Sequence, residues 1–304
     1  MANFTAKDVS ALRERTSCGM MDCKKALTEA DGDFDKACEI LREKGLAAAT
    51  KKAGRIAADG LVVAKVEGNV GAVIEVNSET DFVAKNQTFV DFVNACADII
   101  IKENPGDVEA LLASKIGNWT VKEELNDKIL TIGENMTIRR FQRLEGNLIS
   151  YVHAGGKIGV IVKFDTDCAS KEGFEEYAKD VAMQVAALNP AYLCKSDVPA
   201  DIVEHEREIL VAQAKEDPKN ANKPENVLVK MVEGRLNKKF YQDSCLLEQP
   251  FVKDGSMTVS QYTQETAKKF GGKIEVVSFV RFEKGEGIEK KQDDFASEVA
   301  GMVK

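Results

Sequence analysis

The chain has 304 residues, 44% hydrophobic and 30% charged, which excludes a disordered chain and is long enough for two or three domain-sized cores. Its formal net charge of -8 argues against a general nucleic-acid-binding surface, which would show as a basic excess or stripe. The charged start MANFTAKDVSALRERT is unlike a signal peptide, and no segment reaches the roughly 18 apolar residues of a membrane span, so a cytoplasmic protein with a protein or small-molecule partner is expected.

Residues 1–54 read as a three-helix module with its linker. Thr5 is placed to cap a first helix whose apolar Val9 and Leu12 lie three apart, and Gly19 separates it from MMDCKKALTEA, which should end at the Asp31-Gly32 turn. Asp33 should cap a third helix, with Phe34, Ala37, Cys38 and Leu41 on one face and Gly45 as its stop. The following LAAATKKAGRIAADG is small, basic and poor in large apolar groups, as a semi-flexible connector would be.

The middle of the chain is internally duplicated. Gly60 to Val66 (GLVVAKV) matches Gly146 to Val152 (GNLISYV), and Gly71 to Val76 (GAVIEV) matches Gly159 to Phe164 (GVIVKF) after a longer turn. Phe89, Phe92, Ala97, Asn104 and Pro105 then match Phe174, Tyr177, Ala182, Asn189 and Pro190 at one constant offset. Each copy reads as a β-hairpin followed by an amphipathic helix that ends at Asn-Pro. The fold expected is therefore α+β, with core subdomains at 55–145 and 146–285, each an antiparallel sheet covered by helix.

Within the second subdomain, residues 200–240 carry two helical runs around a Pro/Asn/Lys turn. Ile202 and Ile209 are one heptad apart, as are Val203 and Leu210, while Leu228, Met231, Val232 and Arg235 follow helical spacing on the return. Pro218 and Pro224 interrupt the run, which favours an inserted antiparallel hairpin over a dimerising zipper. After it, TVSQYTQETAKKF reads as a helix and KIEVVSFVRFEKGEG as a strand. Residues 286–304 read as a C-terminal amphipathic helix with Phe295, Val299 and Met302 on one stripe.

The sequence lacks the usual marks of catalysis. There is no GxxxxGK[ST] phosphate loop, no HExxH or CxxC pair and no GxSxG elbow, and the GEG run at Gly285 to Gly287 lacks the third glycine of a dinucleotide fingerprint. The 7 cysteines are scattered, and His153 and His205 are the 2 histidines available to join them, so reduced, mostly buried thiols are expected, with no metal site and no cofactor. His153, in YVHAGGKIGV, reads either as a turn or surface histidine or as a catalytic base, and no serine or cysteine nucleophile accompanies it there. These absences weigh against an enzyme.

What stands out instead is apolar side chains in polar company. Met20 and Met21 are adjacent at a helix start and cannot both face inward. Phe82, in NSETDFVAKN, lies between Asp81 and Val83 in a connection after the strand-like GAVIEV. Core packing and anchoring in a partner's pocket are both open to such a ring.

TxxxVxxLRERTxxGMMDCKKAL (Thr5 to Leu27) and EVNSETDFVAKN (Glu75 to Asn86) resemble the two signatures of the bacterial elongation factor Ts family. The resemblance continues through IGENMTIRR (Ile132 to Arg140), KMVEGRLNKKF (Lys230 to Phe240), QPFV (Gln249 to Val252) and FVRFEKGEGIEK (Phe279 to Lys290). It implies a ubiquitin-associated-type N-terminal module, a duplicated core, a helical hairpin insertion and a C-terminal helical module. It also implies a translation elongation factor that exchanges guanine nucleotide on the GTPase elongation factor Tu, with no direct nucleic-acid or membrane partner. By residue-wise match, Asp81 and Phe82 press on the GTPase switch region and disturb its magnesium and phosphate contacts, with Thr80 and Val83 flanking them in the motif. Met20 and Met21 meet the nucleotide-binding domain, with Leu12 counted among the partner-binding residues; Ile132 and Gly133 lie beside the wedge, and His153 faces a different partner domain. Two rival readings stay open: an enzyme using His153 with Lys157, and a structural dimer built on the Ala200 to Phe240 hairpin.

Overall fold

The computed structural model describes residues 3–16, 18–217 and 223–289. The expected C-terminal stripe of Phe295, Val299 and Met302 and most of the hairpin tip, including Pro218, lie outside the described residues. The fold is α+β.

The N-terminal helices are α1 (Ala6–Thr16), α2 (Met20–Glu29) and α3 (Phe34–Lys52). Thr5 and Asp8 exchange bonds at the start of α1: the Thr5 N–H donates to the Asp8 carboxylate at 2.6 Å, and the Asp8 N–H to the Thr5 hydroxyl at 3.4 Å. Asp31 and Gly32, with φ of 53° and 87°, turn the chain after α2, and the Asp33 carboxylate accepts the Lys36 N–H at 3.0 Å to start α3. Val9, Leu12, Cys23, Leu27 and Leu41 close a small core of their own.

The first core unit has β1 (Asp59–Glu67), β2 (Val70–Ser78), the single turn α4 (Asp81–Ala84), α5 (Gln87–Glu103), α6 (Val108–Ala113), the short pair β3 (Lys115–Ile116) and β4 (Trp119–Thr120), α7 (Val121–Ile132) and β5 (Met136–Glu145). The second has β6 (Asn147–His153), β7 (Ile158–Thr166) and α8 (Phe174–Leu188), then the hairpin α9 (Ala200–Glu216) and α10 (Glu225–Arg235). A wider π-type turn at Leu236–Phe240 leads to α11 (Tyr241–Ser244), followed by β8 (Pro250–Phe251), β9 (Asp254–Thr258), α12 (Val259–Phe270) and β10 (Ile274–Glu283). The hairpin holds itself together with Leu210, Ala214, Val232 and Leu236, and Val203 packs with them, while Ile202 and Ile209 stay partly exposed.

The two units repeat one topology. Each is a three-stranded antiparallel sheet with its second strand central, in the orders β1-β2-β5 and β6-β7-β10. Each covering helix, α5 and α8, ends on an asparagine in the left-handed region, Asn104 at φ 52° and Asn189 at φ 46°. Side chains alternate along the central strands: Ala72, Ile74 and Val76 face the core under α5, whereas Val73 faces the other sheet. Likewise Val160, Val162 and Phe164 face the core under α8, and Ile161 meets Val62, Val280 and Phe282 between the sheets. The result is four layers, helix on sheet on sheet on helix, and it explains why GAVIEV and GVIVKF read as nearly unbroken apolar runs.

One charged group sits in the seam. Glu75 is 0% exposed, and a bulge leaves Arg139 unpaired in the β2–β5 ladder, so consecutive guanidinium groups reach the same carboxylate. Arg139 Nη1 donates to it at 3.0 Å, Arg140 Nε at 2.6 Å, Asn77 Nδ2 at 3.1 Å and the Gly285 N–H at 2.8 Å. Gly285 has φ 69°, and a Cβ there would collide with the Ala58 carbonyl. The GEG run is thus a close-approach turn that ties the end of β10 to the first sheet.

Three sequence expectations change. α3 does not stop at Gly45 but runs to Lys52, because Gly45 lies where α3 packs along α7 and a Cβ there would rest 3.5 Å from Asn126. The connector is correspondingly shorter, since half of LAAATKKAGRIAADG is helix. Asp81 to Ala84, expected as loop, form one helical turn.

Candidate functional site

The β2–β5 ladder ends at the pair Ser78 and Met136. Beyond it, carboxylates continue the pairing in place of backbone. Glu134 accepts both the Thr80 hydroxyl at 2.6 Å and the Thr80 N–H at 2.9 Å, and Glu79 accepts the Asn135 N–H at 2.6 Å. The Ser78 hydroxyl donates to the Thr80 carbonyl at 2.9 Å. The strand end and the segment after α7 are therefore held side by side.

On this base stands α4. Val83 points into the core with Phe89 and Ile129, whereas Phe82, one residue earlier, is 78% exposed. A ring so exposed on a single helical turn gains little from its own protein, which is the condition of an anchor for a partner's pocket. Asp81 is also exposed and bonds Lys85 at 2.9 Å. That bond holds its carboxyl below the usual carboxylate range, and the charge of Lys284 nearby adds to the effect. Ile132, half-buried, and Gly133, exposed at φ 92°, end α7 one residue before Glu134. Gly133 has open space around its missing Cβ, so its backbone angle is what calls for glycine. The Thr80–Glu134 bonds thus bring Asp81 and Phe82 together with Ile132 and Gly133.

Met20 and Met21, 54% and 63% exposed, occupy the first turn of α2. They are placed by a buried bond: the Cys18 thiol donates to Asp127 Oδ1 of α7 at 2.7 Å. Burial raises the Cys18 thiol far above the ordinary range, with Asp127 adding to it, and burial also raises the Asp127 carboxyl. At a rise of about 1.5 Å per residue, Asp127 and Ile132 are roughly 8 Å apart along the same helix. One rigid element, α7, therefore orients the methionine pair and the Phe82 turn.

His153 lies elsewhere, exposed at the end of β6, with its Nδ1 3.1 Å from the Tyr151 hydroxyl. The turn that follows is stitched to the end of β10, where the Lys284 N–H donates to the Lys157 carbonyl at 2.9 Å and Lys157 Nζ lies 3.6 Å from Glu283. His153 belongs to the edge strand of the second sheet, whereas the Phe82 turn follows the central strand of the first.

Two of the expected partner-facing residues are not on the surface. Leu12 is 0% exposed in the core of the N-terminal helices, because it is the inward position of α1, and Val83 is buried by the same turn that exposes Phe82. Conversely, Glu79 and Glu134 went unread in the sequence. Their signal was a carboxylate just after β2 and another two residues before β5, legible only once those strands are known to pair. Among the described residues no group of three or more His, Cys, Asp and Glu side chains is arranged to hold a metal, and no helix is long and apolar enough to cross a membrane.

Comparison with known proteins bears on this arrangement. The family model for elongation factor Ts matches residues 79–286, which begins at Glu79 and ends within the GEG turn. Elongation factor Ts of Clostridium perfringens is 51% identical over 305 residues, covering 98% of this chain and 99% of its own. The Trichlorobacter lovleyi protein of the same name is 50% identical over 311 residues, with 99% and 98% covered, and that of Clostridium kluyveri is 50% identical over 308 residues, with 99% of each covered. The chain that carries the Phe82 turn, the exposed methionine pair and the duplicated sheets belongs to the elongation factor Ts family.

Proposed function

We propose that this elongation factor binds the GTPase elongation factor Tu and promotes release of its GDP so that GTP can reload. The observation that carries the reading is Phe82, 78% exposed on a turn braced to α7. In this reading the ring enters the switch region of the GTPase, Asp81 leaves Lys85 to meet a partner group, and Met20 and Met21 seat on the nucleotide-binding domain. Ile132 and Gly133 border the wedge, and His153 meets a second domain of the same partner. Magnesium bridges phosphate to protein in such GTPases, so disturbing its ligands loosens GDP without covalent chemistry by the factor. The thermodynamics are reciprocal: a factor that binds the nucleotide-free GTPase more tightly than its GDP form weakens GDP by the same free energy. The factor does no catalysis on small molecules, carries no cofactor, and works in the cytoplasm away from membrane and nucleic acid.

The test is release of a fluorescent GDP from elongation factor Tu. Substoichiometric amounts of the protein should accelerate release into excess unlabelled nucleotide. Release that stays at the spontaneous rate as the protein is raised to excess over elongation factor Tu would sink the proposal.

A further inference from the structure

We propose that Glu134 is a positioning residue for Phe82: its carboxylate holds the Phe82 turn in the orientation that exchange requires. The inference rests on the exchange reading of Phe82. It starts from an anomaly in α4. A helix of 4 residues is too short to be stable by itself and needs its N-cap, yet Thr80, the N-cap, makes no side-chain capping bond. Its hydroxyl is turned away from the helix and donates to Glu134, 54 residues along the chain, at 2.6 Å, while its N–H donates to the other oxygen at 2.9 Å.

Capping α4 would stabilise the turn without fixing where it points. The bidentate bond does the reverse: it leaves the helix uncapped and fixes Thr80 to the end of α7. With the Ser78 hydroxyl on its carbonyl at 2.9 Å, Thr80 is held through its donor, its acceptor and its side chain, one residue before Asp81. Phe82 itself has almost no packing to hold it, so its direction comes from Thr80 on one side and buried Val83 on the other. A charged acceptor suits this task, because bonds to an ionised carboxylate are about twice as strong as neutral ones. Order set before binding lowers the entropy lost when the ring enters a partner.

The experiment is a double-mutant cycle on the full chain, read by catalysed GDP release from elongation factor Tu, with melting recorded on every sample. Glu134→Ala should slow catalysed release roughly tenfold, a coupling of the size found between contacting groups. Phe82→Ala should slow it at least as much. The double variant should be no slower than Phe82→Ala alone, since an orienting residue has nothing left to orient. Glu134→Gln, which keeps one acceptor for Thr80, should fall between Glu134→Ala and the unaltered protein, and it carries the same cycle if Glu134→Ala does not fold. Equal, multiplying losses in the double variant would show that Glu134 acts independently of the ring and overturn the proposal. So would unaltered release by Glu134→Ala beside slow release by Phe82→Ala. Unaltered release by Phe82→Ala would overturn the exchange reading of the ring, and the positioning role with it.

Discussion

Phe82→Ala separates a ring kept for a partner from a ring kept for the fold. With the residue 78% exposed, only about a fifth of its surface is withdrawn from water. Full burial of a phenylalanine stabilises by up to about 3 kcal/mol, so the truncation removes roughly 0.5 kcal/mol from the free protein. At about 2–4 °C per kcal/mol for chains of this order of size, the melting temperature should fall by no more than about 2 °C. A core phenylalanine would instead cost roughly 3–5 kcal/mol and shift melting by several times as much.

The partner side carries the larger number. An aromatic anchor that is desolvated in a complex is commonly worth about 2 kcal/mol or more, which is roughly thirtyfold in an equilibrium constant. If that energy favours the nucleotide-free complex over the GDP complex, catalysed release slows by a comparable factor. Differential scanning fluorimetry and stopped-flow release of fluorescent GDP on one preparation measure both quantities. A melting loss on the core scale would refute the burial argument, and unaltered release with unaltered melting would refute the partner argument.

Asp81→Ala should slow release less than Phe82→Ala does, because an exposed carboxylate sets orientation and association rate more than affinity; an equal or larger loss in stopped-flow release would contradict this. Glu75→Ala should destabilise the fold by about 3 kcal/mol, the low end for breaking a buried pair since its arginine partners keep some hydration, and unchanged urea unfolding would refute the clamp. A chain starting at Gly54 should fold, because the N-terminal helices and the first unit have separate apolar cores, yet exchange weakly without Met20 and Met21 and their α3–α7 seam; circular dichroism and GDP release check each half. Alkali should destabilise the protein through its thiols: burial raises Cys23 above the ordinary value of 9.0, Cys245 to about 11 and Cys96 to about 12. A thiol held neutral in the fold costs nothing below the unfolded value, and above it the unfolded chain gains by ionising, so melting temperature should drop as pH rises from about 9 towards 11 and drop less in Cys96→Ala measured against its own value at pH 8.

The duplicated strands were legible because burial on both faces leaves little freedom of composition: Ala72, Val73, Ile74 and Val76 are apolar whichever way they point, as are Val160, Ile161, Val162 and Phe164, with buried Glu75 and half-buried Lys163 as the exceptions. The caps at Thr5 and Asp33 were legible because they act within a few residues of themselves. What escaped was whatever depended on a second segment. Gly45 has the local look of a helix stop, and only the approach of Asn126 from α7 makes it a helix interior. The stretch from α6 to β5 carries capping signals at Asp107 and Thr120, but nothing local says that β5 returns to pair with β2.

The site divides along the same line. Phe82 could be singled out from its neighbours alone, as a bare ring in a short polar connection bounded by Asp81 and Lys85. Val83 could not be assigned to the core on those grounds, because adjacent residues on a helical turn part ways only when the underlying sheet is in place. The brace from Glu134 is invisible for a further reason: a hydroxyl that abandons its own helix leaves no mark in the sequence. Thr80 has the side chain and the position of an ordinary N-cap once α4 is seen, and only the position of α7 turns it into a tether. An exposed ring can therefore be found by its chemistry, while the groups that hold its turn in place can be found only by their geometry.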